Sequence, residues 1–324
     1  MTAGIVGSEQ AVIEVEDLVV EYKTGSRGSL RAVDHLSFRV EPGQCVGFIG
    51  ANGAGKSTTM KCMMGFLFPS SGRVRLFGQE AGTVESRRRL GYLPEVALYY
   101  PFMKARELLE LYGGLQGMGR RELKTRIPEL LEEVGLAGKG ERLLRTFSKG
   151  MQQRLGIAQA IIARPELLVF DELSSGLDPV GRHDLREVLL RLKAAGRTIF
   201  FSSHELSEVE SLCDRAVIIH RGRKMIEAPV SELMRPLNLY DVDFEPGAQG
   251  VPEFVAQLSP ESQPHLSDRA LRVTTEDVGR YGAIMSALAS SGCPILHTEG
   301  RTQSLEQFYM GLVREAEAAL EAQS

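Results

Sequence analysis

The chain has 324 residues, 43% of them hydrophobic and 25% charged, with a net charge of −4. This is the composition of an ordinary globular protein of about two domains, or one large domain with an appendage, and its slightly acidic balance argues against nucleic acid as the default partner. No run approaches the roughly 18 apolar residues of a membrane span, and four scattered cysteines (Cys45, Cys62, Cys213, Cys293) without a CxxC argue against zinc and against a disulfide framework.

The first residues include Glu9, Glu14, Glu16 and Asp17 rather than a basic-then-apolar leader, so the chain is expected to stay on the cytoplasmic side. Residues 13–21 alternate apolar and polar as a strand does, and 30–40 carry a second strand. Glu41-Pro42-Gly43 turns into the apolar run Cys45–Ile49, expected as a buried strand. A glycine-rich loop at 50–55 leads into a helix expected over 56–65, and Pro69-Ser70-Ser71-Gly72 turns into a strand over 73–77. Residues 105–136 are helical by period, with breaks expected at Gly113-Gly114 and Gly117. Ser148 stands where an N-cap belongs, before a helix expected to reach Ala163. Strands are expected at 167–170 and 198–201, and a hairpin pairs 216–220 with 223–227 across Arg221-Gly222.

The composition then shifts. Residues 231–324 hold 6 arginines, no lysine and 14 acidic residues, a net of −8, against +4 for residues 1–230. Prolines at 236, 246, 252, 260 and 264 mark a boundary near 230–240. The acidic module reads as a solvated accessory surface, with an acidic docking patch as the alternative. Strands are expected near 240–244, 270–274 and 294–298, and helices near 252–258, 276–290 and 304–320. The expected layout is an α/β domain over 1–232, with a helical insertion at about 96–165, and a small C-terminal α/β module over 238–324.

Gly50-Ala51-Asn52-Gly53-Ala54-Gly55-Lys56-Ser57 fits G-x-x-x-x-G-K-[ST] without a mismatch, between an expected strand and an expected helix. Its glycines let the backbone curl so that N–H groups face a phosphate, and the helix N-terminus adds its positive dipole end. Gly50, Asn52, Gly53, Ala54, Gly55, Lys56, Ser57 and Thr58 are the expected nucleotide-binding residues. Lys56 would reach the β- and γ-phosphates of ATP, and Ser57 would give its hydroxyl to Mg2+. A second apolar run, Leu167-Leu168-Val169-Phe170, ends in Asp171 and Glu172. Acids at a strand end often cap the next helix. Coupled to the glycine loop, they read as an Mg2+ residue (Asp171, through water) and a general base (Glu172).

Thr146-Phe147-Ser148-Lys149-Gly150-Met151-Gln152-Gln153-Arg154 resembles the signature sequence of ABC-type ATPases. Phe147, Lys149 and Met151 depart from the commonest form, Leu-Ser-Gly-Gly-Gln. From the residues alone, Ser148 is a helix cap. The resemblance implies that Ser148 and Gly150 close on the γ-phosphate held by an opposite subunit. Ser174-Ser175-Gly176-Leu177-Asp178-Pro179 is similar to the D-loop, which crosses that dimer interface, and Ser202-Ser203-His204 is similar to the switch-histidine segment. That implies a catalytic His204 touching the γ-phosphate and the attacking water. Tyr22 resembles the aromatic that stacks on adenine, its alternative being a strand-end core tyrosine. Gly91-Tyr92-Leu93-Pro94-Glu95 resembles the Q-loop with Glu95 in place of the usual glutamine, which implies a charged oxygen ligand for Mg2+.

The resemblance covers about 13–230 and implies a P-loop NTPase core with an antiparallel β subdomain and a helical subdomain, followed by a small α+β C-terminal domain. The segment 301–309 is similar to the ending of exporter ATPases that carry such a domain. Implied with it are an ATP-sandwich homodimer and a separate integral membrane permease holding the ATPase at the inner face of the cell membrane. The resemblance further implies ATP hydrolysis that powers transport, most naturally export. An importer subunit, a soluble ABC ATPase acting on a macromolecular complex and a non-hydrolysing regulatory module are the alternatives. A single set of motifs, no long coiled-coil insertion and no basic tract argue against the soluble class. Glu172 and His204 argue against the module.

Overall fold

The computed structural model describes residues 10–23, 28–234, 236–245, 265–267, 270–275 and 278–321. The chain divides into two compact units, Met1–Val230 and Ser231–Ser324.

In the first unit the elements run β1 (Ile13–Lys23), β2 (Ser29–Val40), β3 (Cys45–Ile49), α1 (Lys56–Met63), β4 (Ser71–Leu76), β5 (Gln79–Glu80), α2 (Val84–Arg88) and β6 (Leu90–Leu93). Then come α3 (Ala105–Leu115), α4 (Arg120–Glu133), α5 (Lys149–Ile161), β7 (Leu167–Asp171), α6 (Pro179–Ala194), β8 (Thr198–Ser203), α7 (Leu206–Leu212), β9 (Arg215–His220) and β10 (Arg223–Pro229). One sheet is antiparallel in the order β2-β1-β4-β5; the other has the order β10-β9-β3-β8-β7-β6. Strands β9, β3, β8, β7 and β6 are parallel neighbours, and β10 closes the edge antiparallel.

Every residue of β3, β7 and β8 is buried, as central parallel strands covered on both faces must be. Phe38 of β2 stacks on Phe200 of β8 with ring centroids 5.5 Å apart, and Phe48 of β3 lies 5.5 and 5.3 Å from the two. Such contacts add about 0.5–1.5 kcal/mol each beyond burial. The core between the two sheets contains these rings together with Met60 and Met63 of α1. Packing thus fixes the carboxyl ends of β3, β7 and β8 side by side, where ligands bind in open α/β sheets.

The helix expected to break at Gly113-Gly114 runs through both, and the break comes after Leu115. Gly113 is the reason: a Cβ there would sit 2.3 Å from Leu123 Cδ2 of α4, so the residue is a close-packing point rather than a breaker. α4 likewise stops at Glu133 and α1 at Met63, short of the expected ends. The second unit holds a four-stranded antiparallel sheet in the order β12-β13-β11-β14, preceded by a single turn, α8 (Val230–Leu233). Its strands are β11 (Pro236–Phe244), β12 (His265–Ser267), β13 (Ala270–Thr275) and β14 (Ile295–Thr302), with helices α9 (Val278–Ser290) and α10 (Leu305–Glu321). Val242, Phe244, Ile284, Leu288 and Cys293 form its core. The helix expected near 252–258 lies outside the described residues.

Candidate functional site

The loop after β3 has the shape its glycines dictate. A Cβ on Gly50 would lie 2.7 Å from the Ile219 carbonyl oxygen. Gly55 has φ +105°, and a Cβ there would lie 2.6 Å from the Ala32 carbonyl oxygen. Gly53 also has positive φ, +79°, but faces open space among the described residues. The loop tip Ala51-Asn52-Gly53 is exposed, whereas Ala54, Gly55 and Lys56 are buried. Gly55 is the N-cap of α1, and no side chain caps that helix. Its first-turn N–H groups are therefore left for an anion.

Lys56 curls back over the loop. Its Nζ donates to the carbonyls of Gly50 (2.7 Å) and Ala51 (3.3 Å) and pairs with Glu172 Oε1 at 3.3 Å. The other carboxylate oxygen of Glu172 lies 3.1 Å from His204 Nδ1. Asp171, at the end of β7, is buried and accepts a 2.6 Å hydrogen bond from Ser202 Oγ. Ser57 and Thr58 lie half-buried on the first turn of α1. Tyr22, 37% exposed on β1, places its Oη 3.4 Å from Thr58 Oγ1. It stands at the surface beside the loop helix rather than in the core. Tyr22, the 50–58 loop, Asp171, Glu172 and His204 therefore make one cluster.

Ser148, Gly150 and Asp178 make another. Ser148 Oγ accepts from the Met151 N–H and caps α5; Asp178 Oδ1 accepts from the Gly181 N–H at 2.9 Å and caps α6. A Cβ on Gly150 would meet Gly181 Cα at 3.7 Å, so the two helix starts touch. Glu95 is exposed and lines a hollow of about 170 Å³ with Tyr99, Lys149, Gln152, Gln153 and Ser175. The Ser175 N–H donates to the Glu172 carbonyl at 3.3 Å, but among the described residues no hydrogen bond or ion pair joins Ser148, Gly150 or Asp178 to the loop cluster.

Sequence reasoning assigned no role to Ser174, Ser202, Ser203 or Glu208. Ser174 Oγ (2.9 Å) and Ser203 Oγ (3.1 Å) both donate to Glu208 Oε2, tying the segment after the two acids to the segment before His204. Burial raises the pKa of Glu208 and the two hydroxyls oppose that rise. Alternation turns the two serines ending β8 to opposite faces, but only the pairing of β8 with β7 sets Ser202 beside Asp171.

A phosphate loop on a parallel sheet, with acids and a histidine at the ends of the neighbouring strands, defines a P-loop ATPase. Residues 33–175 match the family described as ABC transporter. The chain is 35% identical to the bacitracin transport ATP-binding protein BcrA of Bacillus licheniformis, over 93% of this chain and 97% of that protein. It is 36% identical to the Nod factor export ATP-binding protein I of Cupriavidus metallidurans, over 70% and 73%. A solved ATP-binding subunit of an ABC transporter superposes with a TM-score of 0.61 at 33% identity, over 68% of this chain and 91% of that one. The chain belongs to the ABC transporter ATP-binding proteins, the subunits that bind and hydrolyse ATP to power a transporter.

Proposed function

We propose that this ATPase drives an exporter, that two copies sandwich two ATP molecules, and that Glu172 is the base that activates water. The observation that carries the reading is the convergence of Lys56 and His204 on the two oxygens of the Glu172 carboxylate. Lys56 can exchange the Gly50 and Ala51 carbonyls for phosphate oxygens. Glu172, freed from the lysine, then accepts the proton of a water that His204 helps to orient. Tyr22 offers its exposed ring to adenine.

Mg2+ fits the donors. Ser57 and Asp171 supply hard oxygens, while among the described residues no three His, Cys, Asp or Glu gather as a metal cage. That suits an ion held mainly by phosphate and water. Bound there, Mg2+ would neutralise charge developing on the phosphates. Glu95 would add a carboxylate from the sheet's same edge, since Leu93, two residues earlier, pairs with Phe170 of β7.

The dimer reading is supported by the division of the site. Among the described residues Ser148, Gly150 and Asp178 share no hydrogen bond with the loop of their own chain, so they suit the loop of another. Differential contact supplies the energy: ATP touches both copies only when they close. Export is supported by the relative whose name includes Nod factor export, by Glu95, by the Ser148-Lys149-Gly150-Met151 signature and by the C-terminal module. Among the described residues no helix is long and apolar enough to cross a membrane, so a permease would hold the ATPase at the cytoplasmic face.

Glu172→Gln tests the chemistry. Glutamine keeps the size but cannot take the proton. Turnover is expected to fall about 10²–10⁴-fold while ATP binding persists. A variant hydrolysing ATP at the parental rate would place the base elsewhere.

A further inference from the structure

We propose that Ser202 is a positioning residue for hydrolysis: its hydroxyl fixes both the carboxylate of Asp171 and the backbone of Glu172. The proposal rests on the roles given above to those two acids.

The register of the sheet creates the contact. Asp171 of β7 pairs with Ser202 of β8, and Ser202 pairs with Phe48 of β3. Partners in a parallel ladder share a face, so Ser202 and Asp171 point the same way, toward the side of Phe48 and Phe200. Ser202 is fully buried. Its Oγ lies 2.6 Å from Asp171 Oδ1 and 3.0 Å from the Glu172 nitrogen.

A hydroxyl has one proton to give. The Glu172 N–H can only donate, so the serine proton goes to Asp171. Both bonds are therefore directed, and one carboxylate oxygen of Asp171 is occupied. Its other oxygen, without that contact, would be the freer one for a metal-bound water.

The second bond shapes Glu172. Alternation would send this side chain to the face opposite Asp171. Instead Glu172 adopts φ +46°, a left-handed conformation that costs a side-chain-bearing residue energy. Its N–H is held there by Ser202 Oγ and, at 3.2 Å, by the Ser202 carbonyl. In that conformation the carboxylate reaches Lys56 and His204. One serine thus sets the metal-facing oxygen and the direction of the base.

Alanine at 202 would strip Asp171 of its donor and the Glu172 N–H of one of its two acceptors. In the full-length chain, Ser202→Ala is expected to lower kcat about tenfold, the scale of a hydrogen bond to a charged group, and to raise KM for Mg2+-ATP in step with the weaker Mg2+-dependent binding. Binding is then measured by calorimetry in the Glu172→Gln background, with Mg2+ and with a chelator. Ser202→Ala should weaken Mg2+-ATP binding and leave Mg2+-free binding unchanged. Ser202→Thr keeps the hydroxyl and should restore both turnover and the Mg2+ response. Should the added methyl prevent folding, the Mg2+ split of Ser202→Ala decides alone. A Ser202→Ala protein with parental turnover and parental Mg2+ response, or one that loses Mg2+-free binding equally, overturns the proposal. A Glu172→Gln protein with parental turnover would strike the base assignment instead and leave the Mg2+ split at Ser202 standing.

Discussion

Glu172 is held between Lys56 and His204, and the chemistry follows from that competition. Lys56 is buried and spends its protons on two loop carbonyls and one carboxylate. A phosphate arriving at the uncapped start of α1 replaces those acceptors with stronger ones. Glu208 is a half-buried acid whose pKa burial raises, with nearby Glu205 pushing the same way and Arg182 opposing. The folded protein therefore holds the Glu208 proton more tightly than the unfolded chain. Between the ordinary carboxylate pKa and the raised one, folding takes up a proton, so stability falls as pH rises through that window. Glu208→Gln removes the titration and keeps an acceptor for Ser174 and Ser203. Thermal unfolding of variant and parent should therefore diverge in the variant's favour as pH rises above the ordinary carboxylate pKa. A difference independent of pH would mean that Glu208 does not titrate there.

At the scale of elements, the parts most legible in the sequence were those where one physical demand dominates. The fully buried strands β3 and β7 read as apolar runs, and the loop after β3 read from glycines that nothing else could replace. The hydroxyl cap at Ser148 was equally plain and does cap α5. Other elements were hidden by competing signals. α6 begins with Asp178 as cap and Pro179 in its first turn, a good start signal, but those residues were absorbed by the resemblance to the D-loop. β6 is four residues long and contains Gly91, where a Cβ would lie 2.2 Å from the Ala160 carbonyl oxygen of α5. Its existence is a packing fact that no periodicity announces. Within the candidate site, Lys56, Asp171 and Glu172 were legible by type and spacing. Ser202 and Glu208 were not, because their meaning lies in strand register. After β6 the chain exposes Leu98 (90%) and Phe102 (78%) with Val96 and Tyr100 beside them, and we propose that the permease covers this apolar segment. Leu98→Asp with Phe102→Asp should abolish recovery of the ATPase with membranes carrying the co-expressed permease and leave ATP turnover of the isolated chain unchanged. Undiminished recovery would move the docking site elsewhere.

For the whole molecule, we propose that one chain carries two halves of a site that only a second copy can join. The loop cluster and the signature group each end in unspent hydrogen-bonding capacity: the uncapped first turn of α1, and the exposed Ser148 at the start of α5. ATP would be the shared ligand, bound by both halves in the closed pair and by one in the open chain. Glu172→Gln should trap that pair, since it preserves binding and stops turnover. The most direct test is therefore the mass in solution of the Glu172→Gln protein with ATP, with ADP and without nucleotide, alongside the same protein carrying Ser148→Arg. A dimer is expected with ATP only, abolished by the arginine that blocks the signature. An inactive Glu172→Gln protein that stays monomeric with ATP, or a dimer that ignores Ser148→Arg, would contradict it.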